Sequence, residues 1–170
     1  REKHLQTGVV TTGNIPDATP AGFSAHVESR DSYDAILNQQ IASNIDLYIG
    51  GGQKYFVEKA ELLATNNVTY VTSLADVNNV SGRVMAALSN SNITGYLDTR
   101  IKLSDITRTT LERLENANGF ITMIEGANID SRSHGRDMDG MLTELIDFDN
   151  AIGYVMDYVD THPDTLLIIS

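Results

Sequence analysis

The sequence predicts an α/β fold, a three-layer αβα sandwich built on a mostly parallel sheet, and two observations lead there. Short apolar runs alternate along the whole chain with amphipathic stretches, which is the pattern of strand and helix units stacked around a sheet. The runs are also continuously apolar rather than alternating, as strands buried on both faces by helices must be. At 170 residues the chain fits one domain, which is taken to span residues 1–170 as a single α/β unit.

In chain order, the candidate strands are Gly8 to Thr12, Asp46 to Gly50, Val68 to Thr72, Arg83 to Leu88, Gly119 to Ile124 and Thr165 to Ile169. The first helix is expected from about Thr19 to Val27. Threonine is a good N-cap, and Pro20 is tolerated in the first turn, where its missing N–H costs nothing. Further helices are expected over Ser32 to Ser43, Lys54 to Thr65, Ser104 to Asn116 and Met141 to Val159. In the last, Leu142, Leu145, Ile146, Ala151, Ile152, Val155, Met156 and Val159 recur at helical spacing and form the expected core face. Met123 and Met156 read as core residues. Gly50-Gly51-Gly52 marks a sharp turn after a strand, and Ser89 to Thr99 reads as a surface loop.

Composition narrows the function. Lys and Arg total 12 against 23 Asp and Glu, a net charge of −11, which repels nucleic acids and anionic membranes at long range. No run is long and apolar enough to span a membrane. The chain has no cysteine, so disulfides, thiolate metal sites and thiol chemistry are excluded. If an acidic chain acts on an anionic substrate, bound divalent cations are the usual means of reversing the local field.

Two segments carry chemistry. The first is Asp17-Ala18-Thr19-Pro20-Ala21-Gly22-Phe23-Ser24-Ala25-His26-Val27-Glu28-Ser29-Arg30, which follows a strand and opens a helix. A helix start favours anions or polar ligands; the plain alternative is a capped helix with Arg30 a surface charge. The second is Glu125-Gly126-Ala127-Asn128-Ile129-Asp130-Ser131-Arg132-Ser133-His134-Gly135, placed directly after an apolar strand, where parallel sheets bind ligands. Asp130 and His134 are one helical turn apart, a spacing that suits either a shared metal or an ordinary ion pair. Glu125 at the strand end could hold another cation through oxygen. His26 reads as a hydrogen-bonded structural histidine, His162 as a cation at a helix end, and His4 carries no reading.

Taken together, D-A-T-P-A-x-x-x-A-H-V-x-S-R, the G-G-G turn, E-G-x-x-I-D-x-x-x-H and T-E-L-I-D-F-D-N-A-I from Thr143 to Ile152 resemble alkaline phosphatase in identity, order and spacing. The likeness covers nearly the whole chain. It implies a phosphomonoester hydrolase that uses two zinc ions and one magnesium and forms a phosphoserine intermediate. Position by position, Arg30 matches the phosphate-clamping arginine. Thr19 and Glu125 match magnesium ligands, Asp17 an acidic position that holds water around that ion, and Asp130 and His134 two ligands of the first zinc. Ser131 stands where several members carry Lys or His near the phosphate.

The resemblance also implies an interior stretch of a longer enzyme. The nucleophilic serine would lie upstream of Arg1 and the remaining zinc ligands beyond Ser170, so these residues alone are expected to be inactive. Phosphate monoesters as substrates, an extracytoplasmic location and a homodimer of the full-length form follow from the same likeness. Two alternatives stand beside it. One is a sulfatase or phosphomutase that shares the metal scaffold; the other is a non-catalytic acidic module that binds cations or a partner protein.

Overall fold

The computed structural model describes residues 5–93 and 101–170. His4 and the part of the expected surface loop from residue 94 onward lie outside the described residues. Five strands form one sheet: β1 (Gln6–Asn14), β2 (Leu47–Gly51), β3 (Val68–Val71), β4 (Arg83–Ala87) and β5 (Phe120–Glu125). Their order is β3-β4-β2-β1-β5 and every pairing is parallel. Around the sheet run α1 (Ala18–Ser24), α2 (Tyr33–Ala42), α3 (Ala60–Thr65), α4 (Leu103–Leu114), α5 (Asn128–His134) and α6 (Met138–Thr161).

Consecutive strand residues point to opposite faces, and this divides the core in two. Val10, Ile49, Val84 and Ala86 pack with Ile106 and Leu114 of α4 on one face. Their neighbours Val9, Tyr48 and Met85 pack with Leu37 and Ile41 of α2 and Leu63 of α3 on the other. The expected three-layer sandwich is therefore the observed one. β1 is an interior strand, flanked by β2 and β5, and its last seven residues are buried. Gly8 in β1 is a close-packing position, because a Cβ there would lie 2.7 Å from Leu114 Cδ1.

The Gly50-Gly51-Gly52 turn has a definite cause. A Cβ on Gly51 would fall 1.8 Å from the carbonyl oxygen of Ser91, and Gly52 sits at φ +94. Gly52 N–H donates to the carbonyls of Ser89 (2.9 Å) and Ser91 (3.1 Å). Glycine thus lets the segment after β4 close over the end of β2.

Several expected elements differ. The strand expected at Thr165 to Ile169 is not formed: those residues join no ladder, and Leu166 and Ile168 are exposed. A continuous apolar run becomes a strand when both its faces are covered, and the described residues provide no such cover. The helix expected over Lys54 to Thr65 splits into a 3-10 turn, Gln53–Phe56, and the short α3. Glu58 between them takes φ 62, which no α-helix accommodates. Met156, expected in the core, is exposed, as are Leu142, Leu145 and Ile146; of the expected face Ala151 is buried, and Gly140, Glu144 and Asp147 are buried with it.

Candidate active site at the carboxyl edge of the sheet

β1 and β5 are adjacent and parallel, with Thr11 in register with Glu125. The two segments that follow them therefore leave the sheet at the same edge. Thr11 Oγ1 donates to Glu125 Oε2 at 2.7 Å and accepts from Gly13 N–H at 2.9 Å. Asp17 folds back on the end of β1, accepting from Asn14 N–H (2.7 Å) and from Asn14 Nδ2 (3.1 Å) on Oδ2. Asp17 occupies the N-cap position of α1, yet its carboxylate serves Asn14 rather than the helix. A Cβ at Gly13 would lie 2.9 Å from Asp17 Oδ2, 3.2 Å from Thr11 Oγ1 and 3.2 Å from Ala127 Cβ. The Asp17 carboxylate, the Thr11 hydroxyl that holds Glu125, and the loop after Glu125 thus converge on one glycine.

Thr19 is exposed in the first turn of α1, and among the described residues no hydrogen bond joins it to Glu125. Arg30 is exposed beyond α1, at a shallow hollow of about 570 Å³ that it lines with Ala18, Ala25, His26, Glu28 and Ile36. Tyr33 senses the charges of both Asp17 and Arg30. Burial chiefly raises its phenol pKa, the Asp17 carboxylate raises it further, and the Arg30 guanidinium works the other way. One phenol therefore lies within electrostatic reach of both residues.

Asp130 and His134 fall on one face of α5, with His134 Nε2 3.5 Å from Asp130 Oδ1 and both side chains about four-fifths exposed, at 79% and 82%. Ser131 is exposed and its hydroxyl donates to the Ala127 carbonyl at 3.4 Å. The hydrogen bonds His26 makes are through its backbone: its N–H donates to Gln39 Oε1 at 2.7 Å and its carbonyl accepts from Gln39 Nε2 at 3.1 Å. His162 closes α6, with Nδ1 2.8 Å from the Tyr158 carbonyl and Nε2 3.2 Å from Glu115.

Three buried or half-buried asparagines went unmarked in the sequence. Asn14 Nδ2 donates to Asn92 Oδ1 (2.9 Å), Asn92 Nδ2 to Asn128 Oδ1 (3.1 Å), and Asn128 Nδ2 to the Ile93 carbonyl (2.6 Å) and Glu144 Oε1 (3.5 Å). Their only sequence signal is three carboxamides at or beyond strand ends. Glu144 is buried, and that burial pushes its carboxyl pKa up; Asp147 adds to the rise while Arg132 and the Asn128 amide oppose it.

The oxygen donors around Gly13 are hard ligands of the kind magnesium takes, one or two carboxylates with the rest left to water and substrate. Zinc fits less completely. Asp130 and His134 make two of the three protein ligands usual in a catalytic zinc site, and among the described residues no group of three His, Cys, Asp or Glu gathers to hold a metal.

A parallel sheet with its polar groups gathered at the carboxyl edge defines a layered α/β protein, the class in which ligands commonly sit beyond the strand ends. The chain belongs to the alkaline phosphatase family, whose family model matches residues 1–100 and 65–170. It is 31% identical to alkaline phosphatase 4 of Bacillus subtilis, covering 99% of this chain and 40% of that protein. It superimposes on the cold-active alkaline phosphatase of Shewanella sp. with a TM-score of 0.89 at 32% identity, over 96% of this chain and 42% of that one. A variant of the alkaline phosphatase from the Antarctic bacterium TAB5, solved with Mg bound, matches with a TM-score of 0.84 at 28% identity, over 95% of this chain and 50% of that one. The chain thus spans between 37% and 52% of the length of these curated relatives.

Proposed function

We propose that residues 1–170 are one interior α/β unit of a longer, metal-dependent phosphomonoesterase. The observation that carries this reading is the convergence of Asp17, Thr11 and the Glu125 loop on Gly13 at the shared edge of β1 and β5. That convergence supports joining the two motifs in one site. On this reading Thr19 and Glu125 hold magnesium, Asp17 orders water around it, and Asp130 and His134 contribute to a zinc site completed elsewhere. Bound divalent ions supply Lewis acidity and neutralise charge on a transferring phosphoryl group.

This chain's own residues divide the remaining work. Arg30 presents a planar fork suited to two phosphate oxygens, and its exposed position leaves it free to meet an incoming ester. Thr11 fixes Glu125 by donating to one oxygen, which leaves the other for a cation. Ser131 stands one residue from Asp130, beside the expected phosphate position, with a small neutral hydroxyl. The substrates are phosphate monoesters. An extracytoplasmic location and a homodimer belong to the same reading; among the described residues no helix is long and apolar enough to cross a membrane.

The test uses the full-length protein that carries these residues and a chromogenic phosphate monoester. Arg30→Ala removes one positioning clamp and is expected to raise KM about tenfold or more, while Asp130→Ala loses zinc and most turnover. The 170-residue chain assayed alone, with two zinc ligands and no nucleophilic serine in the family's setting, is expected to give negligible turnover. Wild-type zinc content and activity in Asp130→Ala would refute the reading, as would full activity of the 170 residues alone.

A further inference from the structure

We infer that Asn128 is a positioning residue, the hub of an amide relay that fixes the Asp17 turn against the Glu125 to His134 segment. The relay runs in one direction. Asn14 donates to Asn92, Asn92 to Asn128 and Asn128 to Glu144, while the Asn14 amide also donates to Asp17. One end stops on the Asp17 carboxylate, which only accepts, and the other on Glu144, whose Oε1 accepts the Asn128 amide. Turning any one of the three amides over would face donor to donor or acceptor to acceptor, so the network specifies the orientation of each.

The links cross between segments distant in sequence. Asn14 ends β1, Asn92 follows β4, and Asn128 opens α5. Asn128 is almost wholly buried, at 4% exposed, and is held at further points: its side chain donates to the Ile93 carbonyl at 2.6 Å and its backbone N–H to Thr12 Oγ1 at 3.3 Å. Few side chains could take its place. An amide of this length both donates and accepts; aspartate cannot donate and would set a second carboxylate beside Glu144, and serine is too short to span the gap. The close approach of the segment after β4, which Gly51 permits, brings Asn92 into the chain.

This arrangement sits two residues from Asp130, three from Glu125 and, through Asn14, three from Asp17. Neither Asn92 nor Asn128 belongs to the ligand set assigned above, yet together they set the spacing of its two halves. Partners that orient ligands in this way commonly affect metal affinity by about tenfold or more. The positioning role rests on the proposed magnesium site; the relay itself does not.

The experiment uses the 170-residue chain labelled with nitrogen-15, with two independent readouts. The first is the side-chain amide pair of Asn14, identified by its loss in Asn14→Ser. In Asn128→Ala and in Asn92→Ala this pair is expected to shift and to exchange with solvent about tenfold faster, although neither change need touch Asp17. The second is titration with Mg²⁺ alone, where each single variant is expected to weaken binding about tenfold and the double variant no further, because links in series fail together. Asn92→Ala, in a part-exposed loop, covers the case in which Asn128→Ala does not fold. An unchanged Asn14 amide pair in a folded variant overturns the relay. Unchanged magnesium affinity, or fully additive losses, overturns its positioning role. Absence of magnesium binding in the wild-type chain refutes the metal-site reading and the positioning role with it, and the Asn14 amide pair then decides the relay by itself.

Discussion

Glu144 shows how one buried carboxyl can link stability to pH. It lies on the inner side of α6 beside Asn128, with the Asp147 carboxylate one turn along and the Arg132 guanidinium opposing both. Burial raises its folded-state pKa above the ordinary value of 4.5, so the folded state favours the neutral acid. A group of this kind contributes stability that is fully present below its unfolded pKa and is lost as pH rises through the folded one. Glu144→Gln keeps the shape and an acceptor for the Asn128 amide but removes the charge. The variant is expected to match wild type below pH 4.5 and to exceed it in stability increasingly as pH rises above 4.5, levelling off once the folded-state carboxyl has ionised. Urea unfolding at several pH values checks this, and parallel curves for the two proteins would refute it.

Among the elements, α4 starts without a local cap. Lys102 holds the N-cap position and its side chain offers no acceptor. The acceptor comes from α6: Asp147, 2% exposed, takes the N–H groups of Leu103 (2.6 Å) and Ser104 (3.4 Å) and the Ser104 hydroxyl (3.0 Å). It satisfies orphan donors and opposes the helix dipole at once. Asp147→Ala is therefore expected to cost roughly 2 to 3 kcal/mol, since bonds to a charged acceptor are lost and buried donors are left unpaired. Asp147→Asn should recover part of that cost. The urea midpoint, with the slope unchanged, is the measurement, and a loss under about 0.5 kcal/mol, the range of ordinary surface changes, would show that water replaces the cap.

The same two helices mark where sequence reading reached and where it stopped. The existence of α6 is plain from its apolar spacing, and Ala151 on the expected core face is buried, but the first turns of that face are not. Leu142, Leu145 and Ile146 are exposed, while the buried stripe is Gly140, Glu144, Asp147 and Ala151. Periodicity assumes that apolar residues turn inward, and here two carboxylates do so because Leu103, Ser104 and Asn128 receive them. Those partners lie 44, 43 and 16 residues away, and no local pattern announces them. The five strands and the two segments that meet at the sheet edge are legible because continuous apolar runs and the D-A-T-P and E-G-x-x-I-D strings are local. The asparagine relay is not, because it exists only once three strand ends meet.

At the scale of the whole molecule, the apolar surface is unevenly covered. β5 is an edge strand, and its Ile121 is 64% exposed. The Leu166 to Ile169 segment has the composition of a buried strand but joins no ladder, with Leu166 82% exposed. α6 adds Leu142, Leu145 and Ile146. An unpaired parallel edge offers free N–H and C=O groups, and apolar residues beside it supply the drive for another chain to add there. The net charge of −11 opposes such association, but salt screens it within about 10 Å at 0.1 M. The 170-residue chain is therefore expected to self-associate at micromolar concentration, more strongly in 0.5 M salt than in 0.02 M. Replacing Leu166 and Ile168 together by lysine removes apolar contact from the free segment without touching the described core, and should shift the population to monomer. Sedimentation velocity across both salt concentrations separates the outcomes. A wild-type chain that stays monomeric throughout would show that the exposed edge and segment are already protected, and association unchanged in the double variant would move its source to the outer face of α6.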